Sequence, residues 1–181
     1  MTLLRRLINR FRREDGTATV EFAILFMPFM ILLASSYEIG MANVRHVMLE
    51  RGTDLAVRQI RLNTGSAPSK EQLRKMVCNN AGIIPDCMNV LEIDLRAVDK
   101  STYAMPPNKS ECLDRNEENP TEVINPLVRY QNGVQDELMI IRFCAVIDPL
   151  FPTFGLGYSM PKDNSGGYRL FSTTAFVNEP T

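Results

Sequence analysis

The most conspicuous chemistry in this chain is a carboxylate placed where a carboxylate is expensive. Glu21 stands immediately before the uncharged run FAILFMPFMILLASSY at residues 22–37, and five residues after Gly16. A charged side chain at the centre of a bilayer costs about 2.5–3.5 kcal/mol on insertion scales, and less near the interface, so Glu21 calls for a partner. Hydrolysis of the peptide bond after Gly16 would supply one. Thr17 would then carry a new α-amine, protonated at neutral pH with a pKa of roughly 8. On a helix, Thr17 and Glu21 are i and i+4 on one face, about 6 Å apart, so the carboxylate can meet its own amine or that of a neighbouring copy. A glycine before the cut suits a protease that must draw an extended backbone close.

Other candidate groups are few. The cysteines are Cys78, Cys87, Cys112 and Cys144, all beyond the apolar run. An even count in an exported domain points to disulfides. Of the three possible connectivities, Cys78–Cys87 with Cys112–Cys144 closes the shortest loops and is the preferred expectation. With no C-x-x-C pattern and His46 as the only histidine, neither a zinc site nor a redox motif is expected. A catalytic histidine would need a nucleophile and an orienting acid, and no motif supplies them. His46 is therefore expected on the solvated side of its helix. Gly155 and Gly157 lack the third glycine or the Lys-Ser/Thr of a phosphate loop. No catalytic residue, cofactor or metal is expected, and the chain reads as a non-enzyme. The net charge of -1 supplies no field that would draw in nucleic acid.

These residues need elements to position them. Residues 1–16 form a basic leader with Arg5, Arg6, Arg10, Arg12 and Arg13 against Glu14 and Asp15, a net of +3. Residues 17–44 carry only Glu21 and Glu38 as charges and are long enough to span a hydrocarbon core of roughly 30 Å. The arginines put the N-terminal side in the cytoplasm by the positive-inside rule. Pro28 removes a hydrogen bond to the carbonyl of Ile24 and is a candidate kink in the span. Glu38 either marks the outer membrane surface or pairs across copies.

Residues 45–64 continue the helix. Met41, Val44, Met48, Leu55 and Leu62 fall at spacings of three, four and seven and predict an apolar stripe. Arg45, Glu50, Arg51, Asp54, Arg58 and Arg61 fill the remaining surface. The stripe is expected to lie on the chain's own C-terminal domain, and Gly65 is a candidate helix cap.

Residues 65–181 read as an extracytoplasmic α+β domain. Ser69 and Gln72 have capping-box spacing for a short helix that ends near Asn79-Asn80-Ala81-Gly82. Three strands follow: residues 90–98, with Leu91, Ile93, Leu95 and Ala97 on one face and Glu92, Asp94 and Arg96 on the other; residues 137–147, apolar on both faces and hence central; and residues 168–177. A polar loop at residues 99–135 holds Cys112, and a Cys112–Cys144 bridge would tie it to the central strand. Residues 149–167 read as a second, flexible excursion. The expected fold is α+β, a long N-terminal membrane-spanning helix packed on a small antiparallel sheet.

The junction carries a family resemblance. Gly16-x-x-x-x-Glu21-Phe22 resembles the prepilin-peptidase site of type IV pilins in the Flp and tight-adherence (Tad) branch. The wider pattern resembles the TadE-like family of pilus-assembly pseudopilins: Gly16, then Val20-Glu21-Phe22-Ala23, Pro28 and Glu38-Ile39-Gly40, with a closing strand like Ala175-Phe176-Val177-Asn178-Glu179-Pro180. It does not separate TadE-like from the sister TadF-like proteins. The resemblance implies a pilin-like fold and cleavage by a membrane aspartyl prepilin peptidase between Gly16 and Thr17, with Glu21 and Phe22 as register and recognition residues. It also implies a minor pilin that primes or tips a fibre, in the bacterial inner membrane with its C-terminal domain periplasmic. The implied partners are other pilins of the same system, the peptidase, the inner-membrane assembly platform and the lipid bilayer.

Three other readings stay open. Residues 22–37 could be a buried core helix, or a cleaved signal peptide with Ala34 and Ser36 at the cut. The chain could also be a single-pass anchored or secreted disulfide-containing binding domain that uses the long loop and enters no pilus.

Overall fold

The computed structural model describes residues 17–62, 68–99, 101–103, 112–116 and 130–179. The leader with Gly16, the Gly65 cap and the greater part of the polar loop lie outside the described residues. Four helices and three strands are present among those described: α1 (Thr17–Leu62), α2 (Lys70–Asn80), α3 (Cys87–Val90), β1 (Leu91–Ala97), β2 (Leu138–Ile147), α4 (Gly155–Ser159) and β3 (Tyr168–Val177). This is the expected α+β architecture. The chain divides into two compact units, one made of residues up to Ile39 together with Leu150–Ser159, the other of Gly40–Pro149 and the chain from Met160 onward.

In the first unit, α1 is apolar on all sides. Phe22, Ile24, Leu25, Met27, Phe29, Leu32 and Leu33 are all exposed, the distribution of a helix whose solvent is lipid rather than water. The helix runs unbroken through Pro28. It is long and apolar enough to cross a membrane. Only 6% of its most apolar window is buried, which sets aside the buried-core reading, since a core helix would be mostly covered.

The second unit is a three-stranded antiparallel sheet in the order β1-β2-β3, with helices on one face. The most apolar strand, β2, is central, as its lack of a polar face predicts. The register places Leu91 opposite Ala145, Ile93 opposite Phe143 and Leu95 opposite Ile141 on one side, and Met139 opposite Phe176 on the other. These side chains form one core with Leu49, Ala56, Val57 and Ile60 of α1 and Leu73 and Val77 of α2. The α2 helix begins with the predicted capping box: Ser69 Oγ accepts from the Gln72 amide at 3.2 Å, and the Gln72 side chain accepts from the Ser69 amide at 2.9 Å. Cys78 is bonded to Cys87, and Cys112 to Cys144, the pairing that closes the shortest loops.

Three expectations need correction. The stripe by which α1 meets the sheet domain is Arg45, Leu49, Gly52, Thr53, Ala56, Val57 and Ile60, while Val44, Leu55 and Leu62 are exposed. The buried face is rich in small residues because the helix lies close to its neighbours. A β-carbon on Gly52 would stand 2.9 Å from the Val77 carbonyl oxygen of α2. Arg45, expected on the solvated side, is buried. Finally, Glu92 and Asp94 of β1 are buried rather than solvated. Each is compensated: Glu92 pairs with Lys70, and Asp94 accepts from Arg96 Nε at 2.7 Å.

Candidate functional site

Two clusters lie along α1. The first is the junction. Glu21 and Phe22 sit on the described start of α1 with their side chains exposed, and the Phe22 ring stacks on Phe26 one turn later at 5.1 Å. Gly16 lies outside the described residues, and Thr17 opens the helix. Among the described residues, no side chain occupies Glu21, so its carboxylate is available to a charge brought from outside the helix.

The second cluster was not foreseen. Glu38 is fully buried, and its two oxygens accept backbone hydrogen bonds from Leu150 at 3.0 Å and Phe151 at 2.9 Å. One helical turn below, Ser35 Oγ accepts the amide of Leu156 at 3.1 Å. Residues 149–167, expected as a flexible excursion, thus contain a segment hung from α1 by three hydrogen bonds that its backbone amides donate. Two glycines permit the close approach. Gly155 has φ +62, a left-handed conformation, and a β-carbon there would stand 2.8 Å from Ser35 Oγ. A β-carbon on Gly157 would collide with the Phe151 carbonyl oxygen. Tyr37 meets the Phe151 ring edge-on at 6.4 Å, and Phe151 meets Phe154 at 5.2 Å. Glu38 therefore has both carboxylate oxygens engaged within its own chain rather than waiting for another copy. The available sequence signal was a second uncharged aromatic stretch, residues 149–161, that could need a buried acceptor.

In the sheet unit, Arg45 Nη1 donates to the Tyr168 hydroxyl at 3.0 Å and to the Asp148 carbonyl at 3.3 Å. Arg115 makes a two-pronged contact with the Asp148 carboxylate, at 2.7 and 3.1 Å, and donates to Ser165 Oγ at 2.9 Å. The hydrogen bonds from Arg115, then its charge and that of Arg45, hold the Asp148 carboxyl below its ordinary range against the opposing effect of burial. His46 is half-buried, its Nε2 3.0 Å from the Phe171 carbonyl. It stands 3.8 Å from Glu50 as well. No group of three or more metal-ligating side chains occurs among the described residues.

The fold and the junction together define a class: an α+β protein whose N-terminal helix is fit to be a single-pass membrane anchor and continues into a disulfide-bonded sheet domain. Within that class, a family model described as TadE-like protein matches residues 16–58. The match starts at Gly16, takes in the apolar run and ends before the first strand. It is the same family that the residues at the junction resemble. A TadE-like segment suggests involvement in Tad pilus assembly, with other pilus components as partners. No curated protein and no solved structure matches the chain.

Proposed function

We propose that this chain is a minor pilin, or pseudopilin, of a Tad/Flp-type IV pilus. In this reading it is cut between Gly16 and Thr17 by a prepilin peptidase and acts in priming or assembling the fibre. Its working position is the inner membrane, leader in the cytoplasm and sheet domain in the periplasm, before any incorporation into a surface pilus. The role is assembly, not catalysis: the chemistry at the junction is performed on this chain by another protein.

The observation that carries the reading is the coincidence of three features at one point, the start of the family match at residue 16, the basic leader before it, and Glu21 one helical turn beyond Thr17. Cleavage would leave a positive amine at the N-terminus of α1, where the helix dipole is also positive, an unfavourable placement of about 0.3–1 kcal/mol. A carboxylate at i+4, its own or a neighbour's, offsets it and fixes axial register between packed helices. The exposed Phe22 and the apolar surface following it give those helices a packing face.

The test is the mature N-terminus, mapped in cells with and without a prepilin peptidase. The expected result is Thr17 with the enzyme and Met1 without it. Gly16→Ala should block maturation, whereas Glu21→Ala should permit cleavage and impair assembly. Met1 under both conditions would defeat the reading, and a start near Tyr37 would mean an export signal instead. If the chain were only an anchored binding domain, exchanging residues 1–40 for an unrelated anchor would preserve function.

A further inference from the structure

We infer that the segment Leu150–Ser159 is a second membrane-contacting element, a short aromatic loop seated in the outer-leaflet interface beside α1, whose partner is phospholipid. The inference rests on α1 crossing the bilayer, and it is independent of cleavage after Gly16.

The position follows from the helix rise. Taking Thr17 as the first residue of the span, Ile31 lies roughly 21 Å along the axis and Glu38 roughly 32 Å, at 1.5 Å per residue. A hydrocarbon core is about 30 Å thick. The loop touches α1 over this stretch: Gly155 approaches Ile31 and Ser35, and Leu150 and Phe151 bond to Glu38. A span that begins at Thr17 therefore places the loop in the distal part of the membrane, ending at its rim.

The composition suits that position. No charged residue occurs between Asp148 and Lys162. Leu150, Phe154 (41% exposed) and Tyr158 (69% exposed) show their side chains outward, as does Tyr37, whose ring meets that of Phe151. A ring of aromatic side chains at this height is the pattern of interfacial belts, where amphipathic rings sit among headgroups.

The hydrogen bonding suits it as well. Irregular backbone is costly in a membrane because each unsatisfied amide is worth several kcal/mol. Here Glu38 takes two loop amides and Ser35 a third, and Ser159 Oγ returns a bond to the Gly155 carbonyl at 3.4 Å. In water those amides would find solvent, and there would be no need to bury a carboxylate to receive them.

The chain contains no tryptophan, so a single one is a clean reporter. The full-length protein is reconstituted in phosphatidylcholine/phosphatidylglycerol vesicles as Phe154→Trp, with Phe26→Trp as marker of the span and Tyr103→Trp as marker of the exposed sheet domain. Lipids brominated near the glycerol end of the acyl chains should quench the Phe154→Trp emission, as expected for an interfacial ring, and lipids brominated near the chain ends that of Phe26→Trp. The Tyr103→Trp emission should instead be quenched only by acrylamide from the water phase. Glu38→Gln, which keeps the shape but loses one of two acceptors, should lower the lipid quenching of Phe154→Trp and leave that of Phe26→Trp unchanged.

If Phe154→Trp behaves like Tyr103→Trp while Phe26→Trp is quenched by lipid, the loop is not in the interface and the inference is overturned. Protection of Phe154→Trp that grows with protein-to-lipid ratio and ignores bromine assigns the face to a second copy, which also overturns it. Absence of lipid quenching at Phe26→Trp removes the spanning helix, and the inference falls with it.

Discussion

Arg45 donates from Nη1 to the phenolic oxygen of Tyr168 at 3.0 Å, so a buried cation on α1 is held by the first residue of β3. Its other described acceptor is the Asp148 carbonyl at 3.3 Å, and among the described residues Nε has no partner. Hydrogen bonds to a charged group contribute about 1.5–3 kcal/mol. Tyr168→Phe should destabilise the sheet domain by about that amount, because it strips a buried guanidinium of its best acceptor. In an Arg45→Met background the same substitution should cost clearly less, since no charge is left stranded. Urea unfolding of the four proteins in detergent, read as a double-mutant cycle, measures the difference. Additive effects would show that the bond contributes nothing of its own.

The two disulfides should contribute unequally. Their sequence separations are 9 for Cys78–Cys87 and 32 for Cys112–Cys144. Chain-entropy estimates for loops of those lengths are about 2.6 and about 3.7 kcal/mol. Replacing the Cys112–Cys144 pair by alanines should therefore lower stability more than replacing Cys78–Cys87. Residues 112–116 should lose amide-exchange protection with the first replacement and keep it with the second. Non-reducing mass analysis of exported protein should find no free thiol, and four free thiols would overturn both bridges.

How much of this was legible in the sequence depended on whether the partner was local. The capping box of α2 was readable because Ser69 and Gln72 are three residues apart and satisfy each other. The strands were readable because alternation in β1 and unbroken apolarity in β2 both mark extended chain, although alternation in β1 did not announce that its polar face is covered as well. The contact face of α1 was misread for a physical reason. Large apolar side chains at Val44, Leu55 and Leu62 dominate a hydropathy pattern, yet the helix packs through Gly52, Thr53 and Ala56, whose small size lets backbones approach. Glu38 was missed because its partners are 112 and 113 residues away, where nothing near it in sequence announces them. At the junction, residue type and spacing were the whole signal, since the leader's side of the site lies outside the described residues.

The ion pair between Arg115 and Asp148 makes a pH prediction. The folded-state pKa of Asp148 is lowered from 3.8, chiefly by hydrogen bonds from Arg115. A depressed carboxylate contributes stability that is fully present above its unfolded pKa of about 3.9 and is lost as pH falls through the lower folded value. Asp148→Asn should thus be slightly less stable than the parent at neutral pH, and the two should converge in acid below the folded value. The Asp148 side chain is 69% exposed, so solvent screening keeps the difference under about 1 kcal/mol. Thermal unfolding from pH 7 down to pH 2 at two salt concentrations tests this, with the gap expected to shrink in high salt. A gap that persisted unchanged in acid would assign the effect to packing.

Two glycines of α1 should respond in opposite directions to the same substitution. Alanine is favoured over glycine in a helix by about 0.8–1.0 kcal/mol. At Gly40 a β-carbon would meet nothing within 4 Å, so Gly40→Ala should recover that propensity and raise the unfolding midpoint. At Gly52 the same carbon would meet the Val77 carbonyl oxygen at 2.9 Å, Val77 Cγ1 at 3.2 Å and the Ala81 β-carbon at 3.4 Å. The first of these is backbone within α2 and cannot swing aside. Gly52→Ala should therefore push α1 off α2 and destabilise by about 1–3 kcal/mol, the usual range for overpacking, with propensity recovering only part of it. Both variants can be compared by chemical unfolding under one condition. If Gly52→Ala proved as stabilising as Gly40→Ala, the close approach of α1 to α2 would not exist in solution. The small-residue face would then have to serve some contact other than the chain's own core.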